Sequence, residues 1–117
     1  MTYLIIKPDT IQSTMMGNVE MTKQFLERYL VQTPGDFENL TVAVSDKNRL
    51  NIARYAHHIK PTMEYIGASE MRINFQQLET LARSNAPIEE LENTFTMIES
   101  QFNLLMTELA SYLASLK

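Results

Sequence analysis

The last third of the chain carries an unbroken helical seam. Ile88, Leu91, Phe95, Ile98, Phe102, Leu105, Leu109, Tyr112 and Leu116 follow one another in alternating steps of three and four. A strand repeats every two residues, so this spacing belongs to an α-helix with one apolar face over four heptads. A seam this regular packs against other helices at a shallow crossing angle, near +20°. The chain must therefore supply helical partners, either from itself or from a second copy in a coiled coil. The rest of the sequence favours the first.

Upstream, Met21, Phe25, Leu26, Tyr29 and Leu30 mark a broad helical stripe between Val19 and Gln32. Thr33-Pro34-Gly35-Asp36 restarts the chain: Thr33 suits a cap and Pro34 a first helical position, with Phe37, Leu40 and Val44 following at helical spacing. The two segments are expected as two helices or one kinked rod. Ser45 or Asp46 is the expected cap of the next helix, where Ile52, Ala56, Ile59, Met63 and Ile66 fall at steps of 4, 3, 4 and 3, with Gly67 as its left-handed terminator. Ser69 is placed to cap a helix bearing Met71, Phe75, Leu78 and Ala82. The loop Ser84-Asn85-Ala86-Pro87 leads into the seam helix, whose first turn holds Glu89 and Glu90 where the dipole favours them. Residues 1–17 are weakly patterned and suggest a short helix or an extended cap. The pattern predicts one all-α domain over residues 1–117: an antiparallel, up-down four-helix bundle with an N-terminal cap at about 1–17.

Composition narrows the chemistry. Without cysteine there is no disulfide and no thiolate metal site. A net charge of −4 argues against nucleic acid or an anionic membrane as partner. No run reaches the roughly 18 apolar residues of a spanning helix, and MTYLIIKPD lacks a basic leader. A cytoplasmic, monomeric protein is expected; Met1 and the short length suggest a free-standing one.

The stretch Tyr55 to Gly67, YAHHIKPTMEYIG, holds both histidines of the chain. With residues about 100° apart on a helix, His57 and His58 fall on opposite flanks of the core stripe. His57 shares its face with Leu50, Ala53, Lys60, Pro61 and Glu64. His58 shares the other with Asn51, Arg54, Thr62 and Tyr65. Adjacent helical residues diverge, and a helical metal pair needs i, i+4 spacing, so no metal site is expected. The glycines at 17, 35 and 67 are too scattered to cradle a nucleotide phosphate, so the chain is not expected to be a kinase or another enzyme. What remains is an exposed imidazole, a nucleophile near neutral pH, with Lys60 one turn on to attract a phosphoryl group. A simply solvated His–Lys pair reads the same way from spacing alone.

The run AHHIKPTMEYIG resembles the signature of histidine phosphotransfer (HPt) domains, A-H-x-[IL]-K-G with a glycine ten residues after the histidine. Ala56, His57, Ile59, Lys60 and Gly67 match it, and Leu78-Glu79 stands where the family has a leucine followed by Glu or Gln. The resemblance extends over about residues 15 to 114, including the helix, TP turn and second helix before the histidine.

It implies a helical bundle that accepts a phosphoryl group on His57 from a receiver-domain aspartate and passes it to another receiver in a multistep phosphorelay. Lys60 would steady the phosphate, and Glu79 would orient His57 through Nδ1. Leu50, Ala53, Pro61 and Glu64 would form the docking face, with Met15 and Met16 beside it if the N-terminal segment folds over. The implied partners are response-regulator receiver domains and a hybrid histidine kinase; the domain has no cofactor, Mg²⁺ belonging to the receiver. Pro61 departs from the family's glycine and puts partner choice and transfer rate in question. Two other readings are an HPt-like module that binds a receiver without relaying phosphate, and a helical self-association protein.

Overall fold

The computed structural model describes residues 2–116. These form five helices: α1 (Pro8–Thr14), α2 (Val19–Ser45), α3 (Arg49–Tyr65), α4 (Ser69–Arg83) and α5 (Ile88–Ser115), with no strand among the described residues. Helix α3 packs on α2 and α4, and α5 on α2 and α4. None of the helices is long and apolar enough to cross a membrane, among the described residues.

The seam of α5 is used inside the chain. Leu91, Phe95, Ile98, Phe102, Leu105, Leu109 and Tyr112 are all buried, each such side chain contributing about 1.5–3 kcal/mol of apolar transfer. Phe37 of α2 stacks on Phe102 at 4.1 Å between ring centroids and on Phe95 at 5.5 Å. The apolar face that a coiled coil would use thus already meets the other helices of the chain.

Four local expectations are corrected. Thr33 does not cap a new helix: α2 runs through Pro34 without a break, and Thr33 is buried. Proline costs the helix one bond, to the Leu30 carbonyl. Meanwhile Leu26, Tyr29, Thr33, Phe37, Leu40 and Val44 keep one buried stripe across it. The cap of α3 is Asn48 rather than Ser45 or Asp46. Lys47 adopts φ +54°, and Asn48 Oδ1 accepts from the Asn51 N–H at 3.1 Å. Asn18 does the same for α2, accepting from Met21 N–H at 3.0 Å. Ser69 is the first residue of α4, and Ala68 holds the cap position without a side-chain bond. Met21, counted in the α2 stripe, is exposed.

The N-terminal segment is a non-helical strap that bends at Leu4 and Ile5 and is followed by α1. Its anchor is Glu108 of α5, a buried carboxylate that accepts from the backbone N–H groups of Leu4, Ile5 and Ile6 at 2.8, 2.9 and 3.0 Å. Three charge-assisted bonds offset the cost of burying it. The strap then reaches the α3–α4 turn, where Lys7 N–H donates to the Ile66 carbonyl at 3.0 Å. Gly67 makes that approach feasible. It has φ +74°, and a Cβ there would lie 2.6 Å from Lys7 Cβ.

Candidate functional site

Helices α3 and α4 run antiparallel, so residues ascending one pair with residues descending the other. Glu64 meets Arg72 at 3.3 Å, Lys60 meets Gln76 at 2.6 Å, and His57 meets Glu79. The last pair is the centre of the site. His57 Nδ1 lies 3.1 Å from Glu79 Oε2 and 3.3 Å from Oε1, while the imidazole is 62% exposed and the carboxylate 9%. Nδ1 donates to a carboxylate, which selects the tautomer with an unprotonated Nε2. Nε2 makes no hydrogen bond among the described residues, and the ring projects from the helix.

Glu79 gathers three cationic or donor groups. Besides His57, Lys60 Nζ donates to Oε1 at 3.0 Å and Arg83 Nε donates to Oε2 at 3.2 Å. Burial pushes the Glu79 carboxyl up, but the bonds from Lys60, His57 and Arg83 outweigh it and hold the group below its ordinary value of 4.5. The carboxylate is thus ionised at neutral pH. Lys60 is bound rather than free-swinging, its side chain 18% exposed and held by Gln76 and Glu79.

The sequence motif located His57, Lys60 and Glu79, and the fold brings all three together. It did not point to Arg83 or Gln76. Arg83 carried one signal, its i, i+4 spacing to Glu79 on the same helix. Gln76 carried none, since its role depends on the α3–α4 register. Of the residues grouped with His57 by helical angle, Leu50, Pro61 and Glu64 are exposed. Ala53 is 2% exposed and belongs to the core, because the closely packed α4 covers more of α3 than the stripe alone indicates. Met16 is 80% exposed at φ +56° and Met15 half-buried. Both follow α1, which packs near the far end of α3: Thr14 Oγ1 lies 3.5 Å from the Tyr65 carbonyl. From His57 to Tyr65 is about 12 Å along the helix, so neither methionine adjoins the histidine.

Comparison with known protein families, characterised proteins and solved structures finds no match to this chain. The site must be read on its own geometry.

His58 sits on the other flank, against α2. Its Nε2 lies 3.7 Å from Asp36 Oδ2 and the imidazole is 67% exposed. Nearby, the buried Tyr29 hydroxyl is 3.0 Å from Thr62 Oγ1, whose own proton goes to the Ile59 carbonyl at 2.7 Å. Burial pushes the Tyr29 phenol up to about 12, with hydroxyl bonds to Thr62 and Thr33 acting the other way. The two histidines thus face different neighbours and different helices. Among the described residues, no group of three His, Asp or Glu side chains is close enough to share a metal ion.

Proposed function

We propose that the chain is a phosphocarrier that accepts a phosphoryl group on His57 Nε2 from a receiver-domain aspartyl phosphate and delivers it to a second receiver. The observation that carries this reading is the buried, ionised Glu79 behind an exposed imidazole. It leaves Nε2 unprotonated and outward while Nδ1–H is held.

The step balances without a base on this chain. The Nε2 lone pair forms the N–P bond as the acyl-phosphate O–P bond breaks, and the departing electron pair stays with the partner's aspartate. The ring keeps its Nδ1 proton and becomes cationic, and Glu79 faces that charge. Phosphoryl transfer of this kind is mostly positioning and charge stabilisation, and Lys60 lies on the same surface to offset the phosphate. The receiver would supply Mg²⁺; the chain itself needs no ATP site. In this reading α2 to α5 form the antiparallel four-helix bundle of the HPt family, with the strap and α1 as its cap. Response-regulator receivers and a hybrid kinase would be the partners. Leu50, Pro61 and Glu64 would border the contact.

The test is incubation with a phosphorylated receiver domain and Mg²⁺. Acid-labile label is expected on the wild type and on His58→Gln, and absent from His57→Gln. Label that survives His57→Gln and is lost with His58→Gln overturns the assignment. Receiver binding without label on any variant would leave a docking module instead, for which Pro61 on the exposed face is the feature to pursue.

A further inference from the structure

Lys60 is tethered across the α3–α4 contact by two acceptors of α4. Its Nζ donates to Gln76 Oε1 at 2.6 Å and to Glu79 Oε1 at 3.0 Å. The two acceptors stand three residues apart on α4 and so face α3 together. They are not equivalent. Glu79 Oε1 also lies 3.3 Å from His57 Nδ1, and its second oxygen receives His57 and Arg83. Gln76 Oε1 receives Lys60 alone among the described residues, and at the shorter distance.

Gln76 is itself braced. Its Nε2 donates to Thr80 Oγ1 at 3.1 Å, one turn further along α4. With Nε2 on Thr80, Oε1 is turned to Lys60, and it is the only end of an amide that accepts from an ammonium. The run Thr80–Gln76–Lys60 thus fixes a flexible four-carbon stem that a solvated lysine leaves mobile. An ammonium has three N–H donors. Gln76 and Glu79 take two, which leaves one for a phosphate oxygen without breaking either bond. A phosphorylated ring is a cation facing Glu79, and that second positive charge weakens the carboxylate's hold on Lys60. A neutral amide stays outside this competition. Unlike a second carboxylate, it also puts no negative charge beside an incoming phosphoryl group.

We infer, on the phosphocarrier reading, that Gln76 braced by Thr80 is a positioning residue for phosphoryl transfer. It preorganises the Lys60 ammonium to meet the phosphate on His57 Nε2.

The test makes two measurements on the full chain with Gln76→Met. That change keeps the length and helix propensity of an exposed side chain but removes the acceptor. The first measurement is solvent exchange of the Lys60 ammonium by proton–nitrogen NMR, its resonance assigned by its loss in Lys60→Gln. Exchange is expected to speed up in Gln76→Met and to stay slow in Gln76→Glu, which keeps an acceptor oxygen. The second is the single-turnover rate of acid-labile labelling from a saturating phosphorylated receiver with Mg²⁺. Gln76→Met is expected to slow it by about two- to tenfold, the worth of ordering one long side chain. In a Lys60→Gln background the same change should cause no further loss, since both then act through one ammonium. Unchanged ammonium exchange, unchanged labelling, or a full additional loss in that background would overturn the inference alone. Wild type that takes no label would overturn the phosphocarrier reading and this role with it, even with the ammonium protected.

Discussion

His57 Nδ1 and Glu79 Oε2 stand 3.1 Å apart across the α3–α4 contact, a solvent-facing ring held by a buried carboxylate. Because the folded Glu79 titrates below its ordinary value of 4.5, its ionised form favours the folded state. That contribution is complete above about pH 4.5 and is lost as pH falls through the lower folded value. Glu79→Gln should cost about 1–3 kcal/mol at pH 7, with the gap to wild type closing in strong acid. Denaturant melts across pH 2–7, a range chosen from the direction of this shift, would show it; a gap that is constant with pH would refute the linkage.

Tyr29 has the opposite sign. Its phenol is raised to about 12 from 10.0, so the folded state holds the proton more tightly. The resulting stability is present below pH 10 and lost as pH rises from 10 towards 12. Tyr29→Phe should therefore flatten the alkaline fall in melting temperature. A fall as steep as in wild type would count against this.

Gly67→Ala should destabilise the chain by about 1–3 kcal/mol. The substitution meets both the left-handed backbone penalty and a 2.6 Å approach to Lys7 Cβ. Trimming Lys7 should not rescue it, since Lys7 N also lies 3.1 Å from the added carbon. Equilibrium unfolding of both variants decides the matter.

Glu108→Gln weakens three backbone bonds at once. The expected loss is about 1.5–3 kcal/mol, together with faster hydrogen exchange at Leu4, Ile5 and Ile6. Unchanged exchange at those amides would show that the strap is held by its apolar contacts instead.

Pro61 offers no N–H to the His57 carbonyl, yet α3 continues past it to Tyr65. Pro61→Ala should stabilise the helix by about 1–2 kcal/mol, less than the full proline penalty because proline also restricts the unfolded chain. The same variant should alter receiver affinity if Pro61 borders the contact. Urea unfolding and binding isotherms report the two effects separately.

Several features of the fold were present in one dimension. The α5 seam is periodic over 29 residues, and local backbone geometry converts such a period into a helix with one buried face whatever surrounds it. Gly67 as a helix terminator was legible for a similar reason, because left-handed backbone is a property of the single residue. Short-range signals were less decisive where burial competed with them. Thr33-Pro34-Gly35-Asp36 reads as a helix start, but the buried stripe on either side of Pro34 carries α2 through it. The cap of α3 went to Asn48 because α2 runs through Ser45 to its own C-cap Asp46, and Lys47 turns the chain just before Asn48.

The sequence by itself determined the helices, their apolar faces and an exposed histidine with a lysine one turn away. The family resemblance pointed to Glu79 behind that histidine, but only the tertiary structure decided how the pair is held. Burial of Glu79, its joint hold on His57, Lys60 and Arg83, and the closure of Lys7 over Gly67 depend on the register of helices far apart in sequence. Helical periodicity is a local consequence of backbone sterics and apolar spacing, whereas register is set by how whole faces pack, and no single stretch of residues contains it.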